Sequence, residues 1–204
     1  MSRPYNVVIT GMGGQGLLTL GRALASAASA AGWRVTGGEK RGGAQRGGAA
    51  EVVLRLIPPD GPLETALGSS VPPGEADLLI GLEPLEALRR VALTSSRTLV
   101  LIDQTPIEPA LARHSGWRAP ALGEIEAGLH AGGARVVSLD LMAHAKRTWG
   151  HPVLGNLVAL GWLADAGALP FGGAGLHAAA AAALGAKGMH EPAWAHGTAL
   201  AARP

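Results

Sequence analysis

The stretch GMGGQG, residues 11–16, decides the fold of this 204-residue chain. The apolar run YNVVIT precedes it and is typical of a buried parallel strand. A stripe of Leu and Ala residues at helical spacing follows over residues 17–31 and stops at Gly32. A strand, a glycine-rich turn and a helix in this order predict the first unit of a Rossmann-like fold.

Strand and helix signals keep alternating beyond this unit. Further strands are predicted in WRVTGG, Glu51–Ile57, ADLLIGL, RTLVLID and ARVVSLD. A helix enters through Pro84 and runs to about Leu93, and the pattern after about residue 140 is helical. We therefore expect an α/β fold, a Rossmann-like layered arrangement with a mostly parallel sheet and a helical C-terminal region over about 140–204. Residues 1–204 are expected to form a single domain.

Composition and charge argue against several classes of protein. The formal net charge is only +2, and the absence of a dense Lys/Arg block argues against nucleic-acid binding. The chain has no cysteine, which excludes disulfides, a cysteine nucleophile and cysteine-held iron–sulfur clusters in this chain. The start of the sequence lacks signal-peptide features, and no run reaches about 18 apolar residues. We expect a cytoplasmic protein without membrane spans.

The glycine loop, residues 11–16, is the first candidate ligand site. A helix that begins directly after such a turn offers free N–H groups and a positive dipole end to a phosphate. The candidate residues are Gly11, Met12, Gly13, Gly14, Gln15 and Gly16. Glu39 lies at about the separation at which dinucleotide-binding proteins carry an acid for the ribose. These residues alone allow two interpretations. The loop is a dinucleotide site, or its glycines only permit tight packing of the strand against the helix.

A second glycine-rich stretch, TGGEKRGGAQRGGAAEV, is called here the basic segment, residues 36–52. It carries Lys40, Arg41 and Arg46 among six glycines, and arginine suits bidentate recognition of phosphate or carboxylate. Glu39 opens this segment instead of ending a strand before an ordinary helix, which weakens the dinucleotide interpretation. Glu39, Arg41, Gln45 and Arg46 are therefore candidate ligand-binding residues. A docking contact with another chain and a solvent-exposed mobile loop are the alternatives.

Four motifs in order resemble a known family. They are GMGGQGLLTLGRALASAA, GGEKRGGAQRGG, GEADLLIGLEPLEALRR and GNLVALGWL, and the similarity extends from about Asn6 to about Gly197. Together they resemble the gamma-type domain of 2-oxoacid:ferredoxin oxidoreductases, most closely the small (beta) subunit of the indolepyruvate branch. Family members often have a histidine where this chain has Arg41, which leaves the role of the basic segment open.

The resemblance implies a subunit that is inactive alone and has no catalytic residue, metal ligand or cluster of its own. A large alpha subunit would hold thiamine diphosphate, Mg and 4Fe–4S clusters, decarboxylate an arylpyruvate and reduce ferredoxin. Coenzyme A would accept the acyl group, giving arylacetyl-CoA and CO2, and is the implied ligand of this chain. The alternatives are a stand-alone NAD(P)-binding oxidoreductase and a nucleotide-binding regulatory module.

Other polar residues favour structural roles. The seven histidines lack the i, i+4 spacing of a helical zinc pair, so no metal site is expected. Glu83 and Glu86 flank Pro84 at a helix start, where they are expected to cap the first turn and favour its dipole. Asp103 ends a strand at the edge where ligands collect in such folds, but a turn with Gln104 is the favoured interpretation.

Two features of the helical region are less decided. Asn156 begins an apolar helix, and capping, a subunit contact and a ligand contact are equally open for it. Trp149, Trp162 and Trp194 predict a partner contact, because large aromatic residues are over-represented at interface anchors. The alternative is that these tryptophans complete the chain's own core.

Overall fold

The computed structural model describes residues 3–42, 48–62, 68–107, 118–184 and 190–202. The side chains of Arg41, Leu184 and His190 lie outside the description, as do Gln45 and Arg46 altogether. The strands are β1 Tyr5–Met12, β2 Arg34–Arg41, β3 Ala49–Ile57, β4 Leu78–Gly81, β5 Leu99–Asp103 and β6 Arg135–Leu139. The α-helices are α1 Leu17–Ala30, α2 Pro84–Leu88, α3 Leu122–Ala131, α4 Met142–Trp149, α5 Gly155–Asp165, α6 Leu176–Leu184 and α7 His190–Ala201.

The six strands form one sheet in the order β2-β3-β1-β4-β5-β6. Strands β1, β4, β5 and β6 are mutually parallel, and β3 runs antiparallel to both of its neighbours. The prediction of an α/β fold with a mostly parallel sheet and a helical C-terminal region is confirmed. The antiparallel β3 follows from its connection, because β2 and β3 are joined without the crossover helix that a parallel pair needs.

The helix predicted from Pro84 differs in extent from the one observed. The helix from Pro84 ends at Leu88, and Val91–Leu93 forms a separate 3-10 turn. The backbone bonding tightens there, since the N–H of Arg90 donates to the Ala87 carbonyl at 2.9 Å, three residues back. In the same way, Pro152–Leu154 is a 3-10 turn ahead of α5.

The two faces of the sheet bury different helices. Val7 and Ile9 of β1 face the layer formed by α1 and the C-terminal helices, whereas Val8 faces α2 and α3. This alternation is the period of two that a strand covered on both faces requires. Small residues allow close helix contacts in the first layer. A Cβ atom on Gly161 of α5 would lie 2.5 Å from the Trp194 carbonyl oxygen of α7.

The three tryptophans of the helical region belong to this layer. Trp162 is 6% exposed and lies within the core, and Trp149 and Trp194 are half-buried against it. The chain's own packing thus accounts for much of their surface, which favours the core interpretation over an interface anchor. None of the helices in the described part of the chain is both long and apolar enough to cross a membrane.

Candidate functional site

The glycine loop leaves β1 at the carboxyl edge of the parallel strands. Strand β1 continues through Gly11 and Met12, which pair with Ala50 and Ala49 of β3. The loop then turns, and the N–H of Gln15 donates to the Met12 carbonyl at 3.2 Å. Both Gly14, with φ of 95°, and Gly16, with φ of 82°, lie in the left-handed region that favours glycine.

The side chain of Gln15 holds this turn from the inside. Its Oε1 accepts a hydrogen bond from the Met12 N–H at 2.6 Å, and its Nε2 donates to the Leu82 carbonyl at 2.6 Å. Gln15 thereby ties the ends of β1 and β4 together. A Cβ atom on Gly11 would lie only 2.6 Å from that Oε1, which explains glycine there. The Gln15 side chain is therefore engaged by the fold and holds the turn in place.

Asn156 supports the loop from the neighbouring helix. It lies at the start of α5 with no exposed surface, and its Nδ2 donates to the Gln15 carbonyl at 3.0 Å. A Cβ atom on Gly16 would lie 2.6 Å from this Nδ2. The Asn156 side chain does not cap α5, so the capping alternative is wrong. Its Oδ1 is buried without a hydrogen-bond partner among the described residues.

The first turn of α1 opens toward a cleft of about 310 Å³. The first bond of the helix runs from the Leu20 N–H to the Gly16 carbonyl at 3.0 Å. Among the described residues no side chain caps the amides that precede it, and the first turn carries no acidic residue. The cleft is lined by the glycine loop, by Leu17, Leu18 and Thr19, and by Ala50, Glu51 and Val52 of β3. An anion in this cleft would meet free N–H groups and the positive end of the helix dipole.

The basic segment meets the glycine loop at the same sheet edge. The N–H of Gly13 donates to the Gly48 carbonyl at 2.9 Å, and the N–H of Gly42 donates to the Ala49 carbonyl at 2.9 Å. The described residues on either side of 43–47 therefore lie beside the loop, and Arg41 pairs with Ala50 in the strand ladder. Gln45 and Arg46, two of the predicted ligand residues, lie outside the described residues.

Lys40 and Glu39 lie on β2, which β3 separates from β1 in the sheet. The Lys40 Nζ lies 3.5 Å from Glu51 Oε1, and the Arg90 side chain bonds to the other oxygen of that carboxylate. Glu39 pairs with Val52, so strand β3 stands between it and β1. In a dinucleotide-binding fold β2 lies directly beside β1, which brings the acid to the ribose. Here the inserted β3 separates Glu39 from the glycine loop.

A second cleft, named here the apolar cleft, lies on the other side of the glycine loop and has a volume of about 520 Å³. Its lining residues are Gly14, Gln15, Thr105, Ile107, Met142, Ala143, Lys146, His151, Pro152 and Val153. Sequence reasoning missed this cleft because its walls come from three separate parts of the chain. The one signal for it was Asp103, which ends β5 at the edge where such folds collect ligands.

Asp103 positions the helix that forms one wall of the apolar cleft. It has no exposed surface, and its Oδ1 accepts hydrogen bonds from the N–H groups of Leu141 at 2.8 Å and Met142 at 3.2 Å. Burial raises the pKa of this carboxyl to about 6. Its Oδ2 is buried without a partner in the described part of the chain. The side chain therefore caps α4 from another element, and the N–H of Gln104 donates to the Leu139 carbonyl at 2.9 Å.

Glu83 caps another helix, α2, and also holds the segment with Ile107 that lines the apolar cleft. Its Oε2 accepts from the Glu86 N–H at 2.8 Å, so the predicted cap of the helix at Pro84 is confirmed. Its Oε1 accepts from the Ile107 N–H at 3.3 Å and so holds the segment after β5 beside the cleft. Burial raises the pKa of Glu83, and the Glu86 amide opposes this effect.

Two of the histidines, His144 and His196, pack against each other and against Trp149. The rings of His144 and His196 stack with centroids 4.1 Å apart, and the edge of Trp149 meets both. Across the described ranges, no group of three or more His, Asp or Glu residues is arranged to hold a metal ion.

Comparison with known proteins identifies the family of this chain. A sequence profile described as pyruvate ferredoxin/flavodoxin oxidoreductase matches residues 6–197. The chain belongs to this family. The resemblance inferred from the four motifs is thereby confirmed.

Relatives within the family carry a more specific name. Indolepyruvate oxidoreductase subunit IorB of Archaeoglobus fulgidus is 36% identical over 167 residues, which is 82% of this chain and 79% of that protein. The subunit of the same name from Thermococcus kodakarensis is 33% identical over 169 residues, covering 82% of this chain and 80% of its own length. The chain is accordingly a subunit of an oxidoreductase complex of this family, with a catalytic partner subunit.

Two solved structures share the fold. The gamma subunit of a keto/oxoacid ferredoxin oxidoreductase from Geobacter sulfurreducens superposes with a TM-score of 0.64 at 21% identity, covering 97% of this chain and 98% of that one. A 2-oxoglutarate:ferredoxin oxidoreductase from Magnetococcus marinus gives a TM-score of 0.66 at 18% identity. It covers 98% of this chain, which spans 31% of that longer chain.

Proposed function

We propose that this chain is the cluster-free subunit of an arylpyruvate:ferredoxin oxidoreductase of the indolepyruvate type, and that its glycine loop binds the phosphates of coenzyme A. The products would be arylacetyl-CoA, CO2 and reduced ferredoxin. The large subunit would hold thiamine diphosphate, Mg and 4Fe–4S clusters, which supply decarboxylation and electron transfer. In this proposal residues 1–204 act as one domain of a cytoplasmic complex, and the chain alone is inactive.

The observation that carries the ligand assignment is the meeting of two features at one sheet edge. The uncapped first turn of α1 faces a cleft, and the hydrogen bond between Gly13 and Gly48 brings the basic segment to the same place. The Magnetococcus marinus enzyme of the same fold was solved with coenzyme A bound, which supports this choice of ligand. Arg41 and Arg46 would then add charge-assisted hydrogen bonds to the phosphates.

Magnitudes favour a shared site over a site on this chain alone. The helix dipole contributes roughly 0.3–1 kcal/mol for one exposed anion. Each Arg–phosphate hydrogen bond adds on the order of 1.5–3 kcal/mol. Micromolar affinity needs about 8 kcal/mol, so contacts to the adenine or the pantetheine arm must supply the remainder.

The position of Glu39 argues against the stand-alone dinucleotide enzyme. An NAD site needs the acid of β2 beside the glycine loop, and the antiparallel β3 occupies that position. A nucleotide-binding regulatory module remains the other alternative, and it predicts ligand binding without a redox partner.

Purification of the complex from its native host tests the subunit assignment. A tagged copy of this chain is expected to co-purify with a large cysteine-rich subunit, and the complex should contain iron and thiamine. The chain expressed alone should be colourless and should reduce neither ferredoxin nor a viologen dye with indolepyruvate, because it has no cysteine to hold an electron path. Dye reduction by the lone chain, or a tagged chain without any iron-containing partner, would refute the assignment.

A further inference from the structure

The apolar cleft carries exposed hydrophobic surface that the fold does not use. Among the described residues, the large hydrophobic side chains that are exposed are Ile107 at 38% and Val153 at 37%, and both line this cleft. Its volume of about 520 Å³ lies within the range of small-molecule sites. Apolar surface that is kept open in a concave site of this size indicates a ligand with an apolar part.

A lysine and a histidine side chain border the same surface. Lys146 of α4 and His151 both line the cleft, and neither forms an ion pair with a described residue. The next residue along α4 behaves differently, because Arg147 is paired with Asp140 at 2.5 Å. An unpaired lysine beside an apolar cleft suits a ligand that carries a ring and an anionic group close together.

The apolar cleft adjoins the proposed phosphate site at the glycine loop. Gly14 lines both the apolar cleft and the α1 cleft, so the glycine loop lies between the two. A ligand whose diphosphate rests on this loop has the apolar cleft within reach of one end and the cleft along α1 within reach of the other.

We propose that the apolar cleft binds the adenine of coenzyme A and that Lys146 binds its 3′-phosphate. This inference rests on the proposed function. The nucleotide end of coenzyme A joins a ring to a nearby anionic group, which is the combination that the cleft and Lys146 offer. The pantetheine end has no charge and carries two amides, which would lose hydrogen bonds against walls formed by Met142, Pro152 and Val153. That end runs instead along α1, where the cleft includes Thr19.

The test compares coenzyme A with dephospho-coenzyme A, which lacks only the 3′-phosphate. Equilibrium dissociation constants are measured on the assembled complex. The wild-type complex is expected to bind coenzyme A about tenfold more tightly than the dephospho form, since a charged hydrogen bond distinguishes them. Lys146→Gln should reduce this preference to less than about twofold and leave the affinity for dephospho-coenzyme A unchanged. Arg147→Gln is the matched control, because it removes the adjacent charge outside the cleft and should keep the preference.

A second variant tests the adenine position. Ala143→Leu fills part of the apolar cleft and should lower the affinity for both ligands by the same factor. The preference for coenzyme A over dephospho-coenzyme A should not change. The inference is overturned if Lys146→Gln weakens the binding of both ligands equally, or of neither. It is also overturned if Arg46→Ala, and not Lys146→Gln, removes the preference for coenzyme A over dephospho-coenzyme A. The last result would mean that coenzyme A lies on the glycine loop in the opposite orientation, with its 3′-phosphate at Arg46. A wild-type complex that binds neither ligand would refute the coenzyme A assignment itself.

Discussion

At the residue scale, buried polar side chains that come from other elements hold the edges of the candidate site. Asp103 bonds to two amides 38 and 39 residues later in the chain, and Asn156 bonds to a carbonyl 141 residues earlier. Each leaves one oxygen buried without a partner in the described part of the chain. Such contacts join distant residues, and the sequence pattern around Asp103 or Asn156 contains no sign of the partner. This is why a local turn was expected for Asp103, and why a local cap was one of the alternatives left open for Asn156.

The raised pKa of Asp103 predicts how stability depends on pH. The folded chain keeps this proton up to about pH 6, whereas the unfolded chain loses it near its ordinary value of 3.8. The contribution of Asp103 to the free energy of unfolding therefore falls as pH rises from about 4 to about 6, and is constant above. Asp103→Asn removes the charge and keeps an oxygen for the amides of α4. The unfolding free energy of the wild type minus that of the variant should fall by up to about 3 kcal/mol between pH 4 and pH 7.

Urea unfolding of both proteins at several pH values measures this difference. Asp140→Asn provides the control. Burial opposes its ionisation, but the hydrogen bond from Arg147 holds the pKa of Asp140 below its usual range. Its contribution is lost only as the pH falls below about 4. A wild-type minus Asp103→Asn difference that stays constant or rises with pH would show that burial does not disfavour the Asp103 charge.

At the element scale, the periodicity of the sequence predicted the strands and long helices well. Tyr5–Met12 and Leu17–Ala30 match the predicted first strand and helix closely, because a buried strand and an amphipathic helix leave a local pattern. Strand direction leaves no such pattern. The hydrophobic pattern of β3 is the same for a parallel and an antiparallel strand. The hairpin that inserts β3 between β2 and β1 could therefore not be predicted. The same hairpin decides whether Glu39 reaches the glycine loop.

The turn between β1 and α1 gives a prediction about two of its glycines. Gly14 and Gly16 both have positive φ, so alanine at either position is strained by roughly 1–2 kcal/mol. Only at Gly16 would the new Cβ atom also meet a neighbour, the Nδ2 of Asn156 at 2.6 Å. At Gly14 nothing lies within 4 Å. Gly16→Ala should therefore lower the free energy of unfolding more than Gly14→Ala, by about 1 kcal/mol or more.

Urea unfolding of the two variants beside the wild type measures these costs. Both variants carry the backbone strain of a positive φ, and only Gly16→Ala adds the overlap of the new Cβ with Asn156. The difference between the two losses of stability therefore measures the overlap. Equal losses of stability would mean that Asn156 moves away without cost and does not hold the loop.

At the scale of the whole molecule, the candidate site occupies one edge of the sheet. The glycine loop follows β1, the segment with Ile107 follows β5, and α4 follows β6, all at the carboxyl ends of parallel strands. The antiparallel β3 begins at this edge and so returns the basic segment to it. The family resemblance could be predicted from the four motifs, because each is a local run of residues. The apolar cleft could not, since it exists only once these separate elements are assembled.

Binding of coenzyme A at this edge of the sheet, proposed above for the assembled complex, can be tested directly. Arg46→Ala removes a cation from the basic segment, and the control Arg97→Ala removes one from before β5, at the opposite edge of the sheet. The KM values for coenzyme A and arylpyruvate and the iron content are measured on each complex. For Arg46→Ala the KM for coenzyme A is expected to rise about tenfold or more, while the KM for arylpyruvate and the iron content stay unchanged. An unchanged KM for coenzyme A, or a complex that dissociates, would contradict coenzyme A binding by the basic segment and assign this segment to subunit docking.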